Sequence, residues 1–121
     1  MVIMETTRQT SQQDQDRRSL ALHRLVAEKM RRDPALIGRA AVILARWRAN
    51  AQPGTDRWLR QWATLFDQGL AATLAVATED SEHARALRQS SPLSCLLSNK
   101  DRWEFLAHWK RNEEAHEAAR T

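Results

Sequence analysis

The chain has few of the residues that interrupt or staple a fold. Its single cysteine, Cys95, excludes an internal disulfide framework and fits a reducing compartment, where it is expected as a small buried hydrophobe. Three glycines and three prolines leave long stretches without a breaker, and three glycines give no Gly-rich phosphate loop. Tyrosine is absent, and β-branched apolar residues are scarce: 4 Val and 3 Ile stand against 19 Ala and 14 Leu. A pleated surface favours β-branched and aromatic side chains, whereas Ala, Leu, Arg, Gln and Glu lose little on entering a helix. A β fold is excluded on composition. No apolar run approaches the roughly 18 residues of a membrane span. Met1-Val2-Ile3-Met4-Glu5 also lacks the basic n-region and long h-region of a signal peptide. The expectation is a cytoplasmic protein with no membrane partner.

Catalytic constellations are equally sparse. His23, His83, His108 and His116 show no cysteine partner and no tight pairing, so neither a zinc site nor any cofactor is expected. No Ser/His/Asp set can be nominated. His108 and His116 lie two turns apart, with Glu104 and Asn112 on the same face, as on a solvated helix.

What is present is helical periodicity and arginine. At 121 residues, one domain is the natural count, and such a chain can bury a core unaided. Residues 1–16, rich in Gln, Thr and Asp, are expected as a disordered or partner-ordered tail, with a single helical domain over 17–121. Leu22, Leu25, Val26, Lys29 and Met30 mark a first helix from about Asp16 to Arg32. Asp33-Pro34 ends it, and Asp33 is expected to cap a second helix carrying Ile37, Ala40, Ala41, Leu44 and Trp47. After the Pro53-Gly54 turn, Thr55 or Asp56 is the expected cap of a third helix, with Trp58, Leu59, Trp62, Leu65 and Phe66 on one face. Gly69 separates it from a short uncharged helix over Leu70–Thr78. Ser81 caps a fifth, Ser90-Ser91-Pro92 breaks it, and Leu93–Leu97 plugs the core. Ser98 and Asp101 resemble a capping box that opens the last helix. The fold class is all-α: a compact bundle of five or six helices with short connections.

The charge is lopsided. The net charge is +4, but residues 1–16 sum to −2, residues 17–60 to +8 and residues 61–121 to −2. Arg17, Arg18, Arg24, Arg31 and Arg32 lie off the apolar stripe of the first helix, and Arg39, Arg46 and Arg48 lie off that of the second. Arranged on antiparallel helices, these eight would form one patch. Arginine's planar fork suits carboxylate and phosphate, so the patch selects an acidic partner. Neither turn between the first three helices has the short, glycine-centred geometry that precedes a recognition helix, so base readout is not supported. Five tryptophans, Trp47, Trp58, Trp62, Trp103 and Trp109, are expected mainly as core, with one or two at a partner surface.

Two resemblances bear on function. Arg102-Trp103-Glu104-Phe105-Leu106-Ala107-His108 resembles the Arg–His signature of the HEPN ribonucleases, small all-α proteins that often act as toxins. Trp103 stands where that family usually has a polar residue. That resemblance implies Arg102 and His108 as catalytic residues in a dimer cleft that cuts RNA without metal. The stretch Arg17-Arg18-Ser19-Leu20-Ala21-Leu22-His23-Arg24 looks like the opening of a group of small helical bacterial proteins found in toxin–antitoxin-like gene pairs. Ala86-Leu87-Arg88-Gln89-Ser90-Ser91-Pro92-Leu93, with Leu97 and Arg102-Trp103 downstream, looks like their C-terminal half. This second resemblance spans roughly residues 17–109 and implies no catalytic residue. The favoured expectation is a non-catalytic, antitoxin-like partner or small regulator. It would mask an acidic protein through the eight arginines, and a homodimer is compatible with it. A HEPN-like ribonuclease and a nonspecific nucleic-acid-binding protein are the alternatives.

Overall fold

A computed structural model describes the backbone of residues 2–120 and the side chains of residues 12–115 and 117–119. It is an all-α bundle. The elements are α1 (Val2–Arg32), α2 (Leu36–Ala49), α3 (Pro53–Gln68), α4 (Leu70–Ala77), α5 (Glu82–Arg88), a 3-10 turn (Pro92–Leu96) and α6 (Asn99–Arg120).

Helix α1 buries His23, Val26, Ala27 and Met30, a stripe at one-turn spacing. It begins earlier than the expected Asp16. Residues 2–16 continue the helix, Met1 lies outside the described residues, and Gln12 to Gln15 are exposed. They have little to bury, as the composition indicates, but they carry local support: Arg17 pairs with Asp14 at 2.9 Å and the Gln12 amide donates to Asp16 at 3.2 Å.

Two expected caps are replaced by main-chain turns. Helix α2 starts at Leu36 with Ala35 as N-cap, so Asp33 lies too far back for its carboxylate to serve the first turn. The amides of Leu36 and Ile37 instead donate to the carbonyls of Asp33 and Pro34, at 3.1 and 3.2 Å. Helix α3 starts at Pro53, where a missing N–H costs nothing, and Gln52 takes the N-cap place. Thr55 and Asp56 therefore sit inside the first turn, with their amides on the Gln52 carbonyl. Asp56 still complements the positive end of the helix dipole.

Gly69, at φ 111° and ψ 176°, turns the chain from α3 into α4 in a conformation essentially confined to glycine. The Thr73 hydroxyl braces this corner, 2.9 Å from the Gly69 carbonyl and 3.0 Å from that of Leu65. Ser81 caps α5 as expected, accepting from the Ala84 amide at 3.1 Å, and Ser98 accepts from the Asp101 amide at 3.1 Å to open α6.

The 3-10 turn is the centre of the bundle. Leu93, Leu96 and Leu97 are buried between α1 on one side and α2 on the other. Helices α2, α3 and α4 pack in sequence, and α4 and α5 close back onto α1. Trp62, wholly buried, donates its indole N–H to the Leu87 carbonyl at 3.0 Å, which fixes α3 against α5. Cys95 differs from expectation. It is exposed, because the turn sends Leu93 and Leu96 inward and Cys95 outward.

Candidate functional site

The arginines proposed for partner binding are all exposed, but they do not form one patch on paired helices. Helices α1 and α2 each lean on the 3-10 turn rather than along one another. On α1, Arg17, Arg24 and Arg31 recur every seven residues, a row of about 21 Å at the helical rise. Arg18 and Arg32 lie around the helix from that row. On α2, Arg39 and Arg46 are again seven apart, flanking the outward-facing Val42, which is 53% exposed. Trp47, next to Arg46, is 37% exposed.

Two of the eight already meet carboxylates within the chain. Arg17 pairs with Asp14 and also with Glu113 at 3.2 Å; Arg48 pairs with Asp56 at 3.0 Å. Asp56 also pairs with Arg60 at 3.3 Å. The Arg48 hydrogen bond, ahead of that from Arg60, holds the Asp56 carboxyl below the usual carboxylate range. The remaining six, Arg18, Arg24, Arg31, Arg32, Arg39 and Arg46, have no ion pair among the described residues.

Two of the carboxylates that meet this basic half, Asp101 and Glu113, come from α6. Lys29 donates to Asp101 at 3.3 Å and to the Leu96 carbonyl at 3.1 Å. Twelve residues separate Arg17 from Lys29 and twelve separate Asp101 from Glu113, so α6 runs antiparallel to α1 in a single register. The Asp101 carboxyl is lowered first by the Ser98 hydroxyl and then by Lys29. Around the Lys29–Asp101 tie the helices leave a cleft of about 470 Å³. Leu25, Leu97 and Phe105 form its apolar part, with Lys29, Arg32 and His108 among the polar lining.

The Arg102–His108 pair is split. Residues six apart on an α-helix are about 120° apart around its axis. Arg102 donates to the Ser94 carbonyl, which ties α6 to the 3-10 turn. His108 is exposed and faces the α1–α6 cleft beside Asn112, whose amide is 3.1 Å from its Nε2. No group of three or more His, Cys, Asp or Glu that could hold a metal occurs among the described residues. No helix there is long and apolar enough to cross a membrane.

The tryptophans divide. Trp62 is core, Trp58 and Trp109 are half-buried, and Trp103 is 74% exposed. The Arg57 guanidinium stacks over Trp58 at 5.1 Å, and Phe105 stacks with Trp109 at 6.1 Å.

Sequence reading missed a pair of buried polar groups. His23, 2% exposed, has its Nδ1 2.7 Å from the Ser19 carbonyl, and its Nε2 has no partner. Burial, opposed by the Ser19 hydrogen bond and reinforced by the charge of Arg88, lowers its pKa to about 4. Arg88, 5% exposed, uses Nη1 to hold the carbonyls of Ala77 and Glu79 at 3.2 and 2.8 Å. The signal was available: Ala84, Leu87 and Arg88 fall on one helical face, and so do His23, Val26, Ala27 and Met30.

No family model matches the chain, and comparisons with curated proteins and with solved structures give no significant match.

Proposed function

We propose that this protein is a non-catalytic helical interaction module, antitoxin-like or a small regulator, that binds and masks an acidic protein partner. The observation that carries the proposal is the set of six exposed arginines on α1 and α2 that meet no carboxylate among the described residues. The chain has acid to spend on α6, and it spends it on Arg17 and Lys29, leaving these six free. Val42 and Trp47 lie on the same helix as Arg39 and Arg46 and supply apolar area. A charged rim around an apolar anchor is how a protein partner is steered and then held.

Charge reversal of Arg24, Arg31 and Arg39 together tests the proposal. The partner is isolated on wild-type protein from the source cells, identified, purified and titrated against both forms. The expected result is a loss of affinity of at least tenfold with an unchanged thermal melt. Unaltered binding by the triple variant overturns the proposal. Binding instead to arbitrary duplex DNA, with a log–log salt slope of about −0.9 per phosphate neutralised, would establish the nucleic-acid reading.

A further inference from the structure

Helix α6 turns one face to α1 and leaves the opposite face uncovered. Asp101 and Phe105 mark the inner face, through the Lys29 pair and the lining of the α1–α6 cleft. Trp103 lies two residues from Asp101, about 200° around the helix, and so faces away from α1. It is 74% exposed, more than any other large apolar side chain among the described residues. Leu106 and Ala107, one turn further along, are exposed beside it. Large aromatic rings are the usual anchors of protein interfaces.

The charges along this face are ordered about Ala107. Lys100 lies seven residues before it and Glu114 seven after, so the three stand in one line at intervals of about 10 Å. Lys110 lies on the same face. Lys100, Lys110 and Glu114 are exposed and have no ion pair among the described residues. A line that is positive at one end and negative at the other complements itself when turned end for end, which is what a two-fold interface requires. The apolar area on α2 does not meet that requirement. Around Val42 and Trp47 a second copy would set Arg39 and Arg46 against their own like charges.

We propose that this face of α6 is the docking surface for a second copy of the chain, two α6 helices lying antiparallel across a two-fold axis at Ala107. The small Ala107 side chain lets the helices approach closely. Trp103 of each copy covers Leu106 and Ala107 of the other, with the Lys110 ammonium near its ring, and Lys100 of each copy meets Glu114 of the other. The charges set the direction of pairing more than its strength. The two tryptophans bury about 150–250 Å² each, which places the contact at the small, reversible end of protein interfaces. The face shares no residue with the six arginines of the partner-binding proposal, so either can fail alone.

The test is sedimentation equilibrium of the full chain over a dilution series that reaches millimolar protein. The expected result is a reversible monomer–dimer equilibrium. Trp103→Ala should weaken association at least tenfold with an unchanged thermal melt, because the ring lies mostly outside its own fold. Lys100→Glu and Glu114→Lys, each alone, should weaken the dimer several-fold at low salt, and the two combined should recover most of that loss. Recovery distinguishes end-for-end pairing from parallel pairing, in which like charges face one another in every one of these variants. A chain that stays monomeric throughout the series overturns the proposal. So does a dimer that Trp103→Ala leaves as tight as the wild type, or a combined variant no tighter than the single reversals.

Discussion

His23 carries the clearest consequence of burial for a single side chain. Its folded pKa of about 4 lies below the ordinary value of 6.5, so the folded state keeps it neutral while the unfolded chain takes up a proton. The stability this provides is fully present above pH 6.5 and is lost as pH falls from there through about 4. The loss across that window should be on the order of 3 kcal/mol, since each tenfold change in proton affinity is worth about 1.36 kcal/mol. Urea midpoints measured between pH 7.5 and 4 should fall more steeply for the wild type than for His23→Gln. Equal slopes would show that His23 is solvated or already paired. At the same scale, His108→Ala should leave RNA intact as the wild type does; metal-independent cleavage abolished by that change would establish the ribonuclease alternative. Exposed arginines were legible in the sequence because each falls off an apolar stripe. Their partners were not: Glu113 lies far along the chain from Arg17, and only the antiparallel register of α6 on α1 brings them to 3.2 Å. Burial of His23 and Arg88 was readable in principle from spacing, but polar residues on an apolar stripe are easily taken for its border.

Among the elements, the turns carry more of the fold's specificity than the helices. Gly69 holds a backbone conformation that other residues reach only under strain, and nothing within 4 Å would crowd an added Cβ. Gly69→Ala should therefore destabilise through backbone strain alone, by about 1–3 kcal/mol, in denaturant melts. A variant as stable as the wild type would mean that the α3–α4 corner relaxes. The 3-10 turn makes a stronger demand. Leu96 is 2% exposed and Leu97 8%, and both sit between α1 and α2. Truncating either to Ala should cost about 2–5 kcal/mol, with Leu96→Ala the larger. Unchanged midpoints for both would remove the turn from the core. Ser81, Ser98 and the Leu93–Leu97 plug were legible because caps and apolar runs are local signals. Asp33, Thr55 and Asp56 were misplaced by a few residues because a proline admits several helix starts, and main-chain turns can replace a side-chain cap. Cys95 was misplaced for a related reason: a 3-10 turn has a different angular repeat from an α-helix, so one residue of a five-residue apolar run faces out.

For the molecule as a whole, the distribution of charge between its two ends is the organising fact. Helix α6 lies along α1 and neutralises Arg17 and Lys29, while Arg18, Arg24, Arg31, Arg32, Arg39 and Arg46 stay unpaired among the described residues. Exposed pairs such as Arg17–Glu113 contribute little stability, about 0–1 kcal/mol each, so they do not by themselves hold α6 in place. The Lys29 bond to the Leu96 carbonyl and the Arg102 bond to the Ser94 carbonyl also tie α6 to the rest of the fold. Repulsion among six unpaired cations would be relieved by an acidic surface, and apolar area at Val42 and Trp47 would then be covered. The salt dependence of binding to the purified partner separates this account from charge-driven contact with phosphate. Wild-type affinity should fall with salt only in part and level off at a plateau that salt does not remove, while the Arg24, Arg31 and Arg39 reversal lowers it at least tenfold at low salt, a gap that narrows toward the plateau. Affinity that falls linearly in log salt to nothing, or a reversal that binds as tightly as the wild type at low salt, would contradict it.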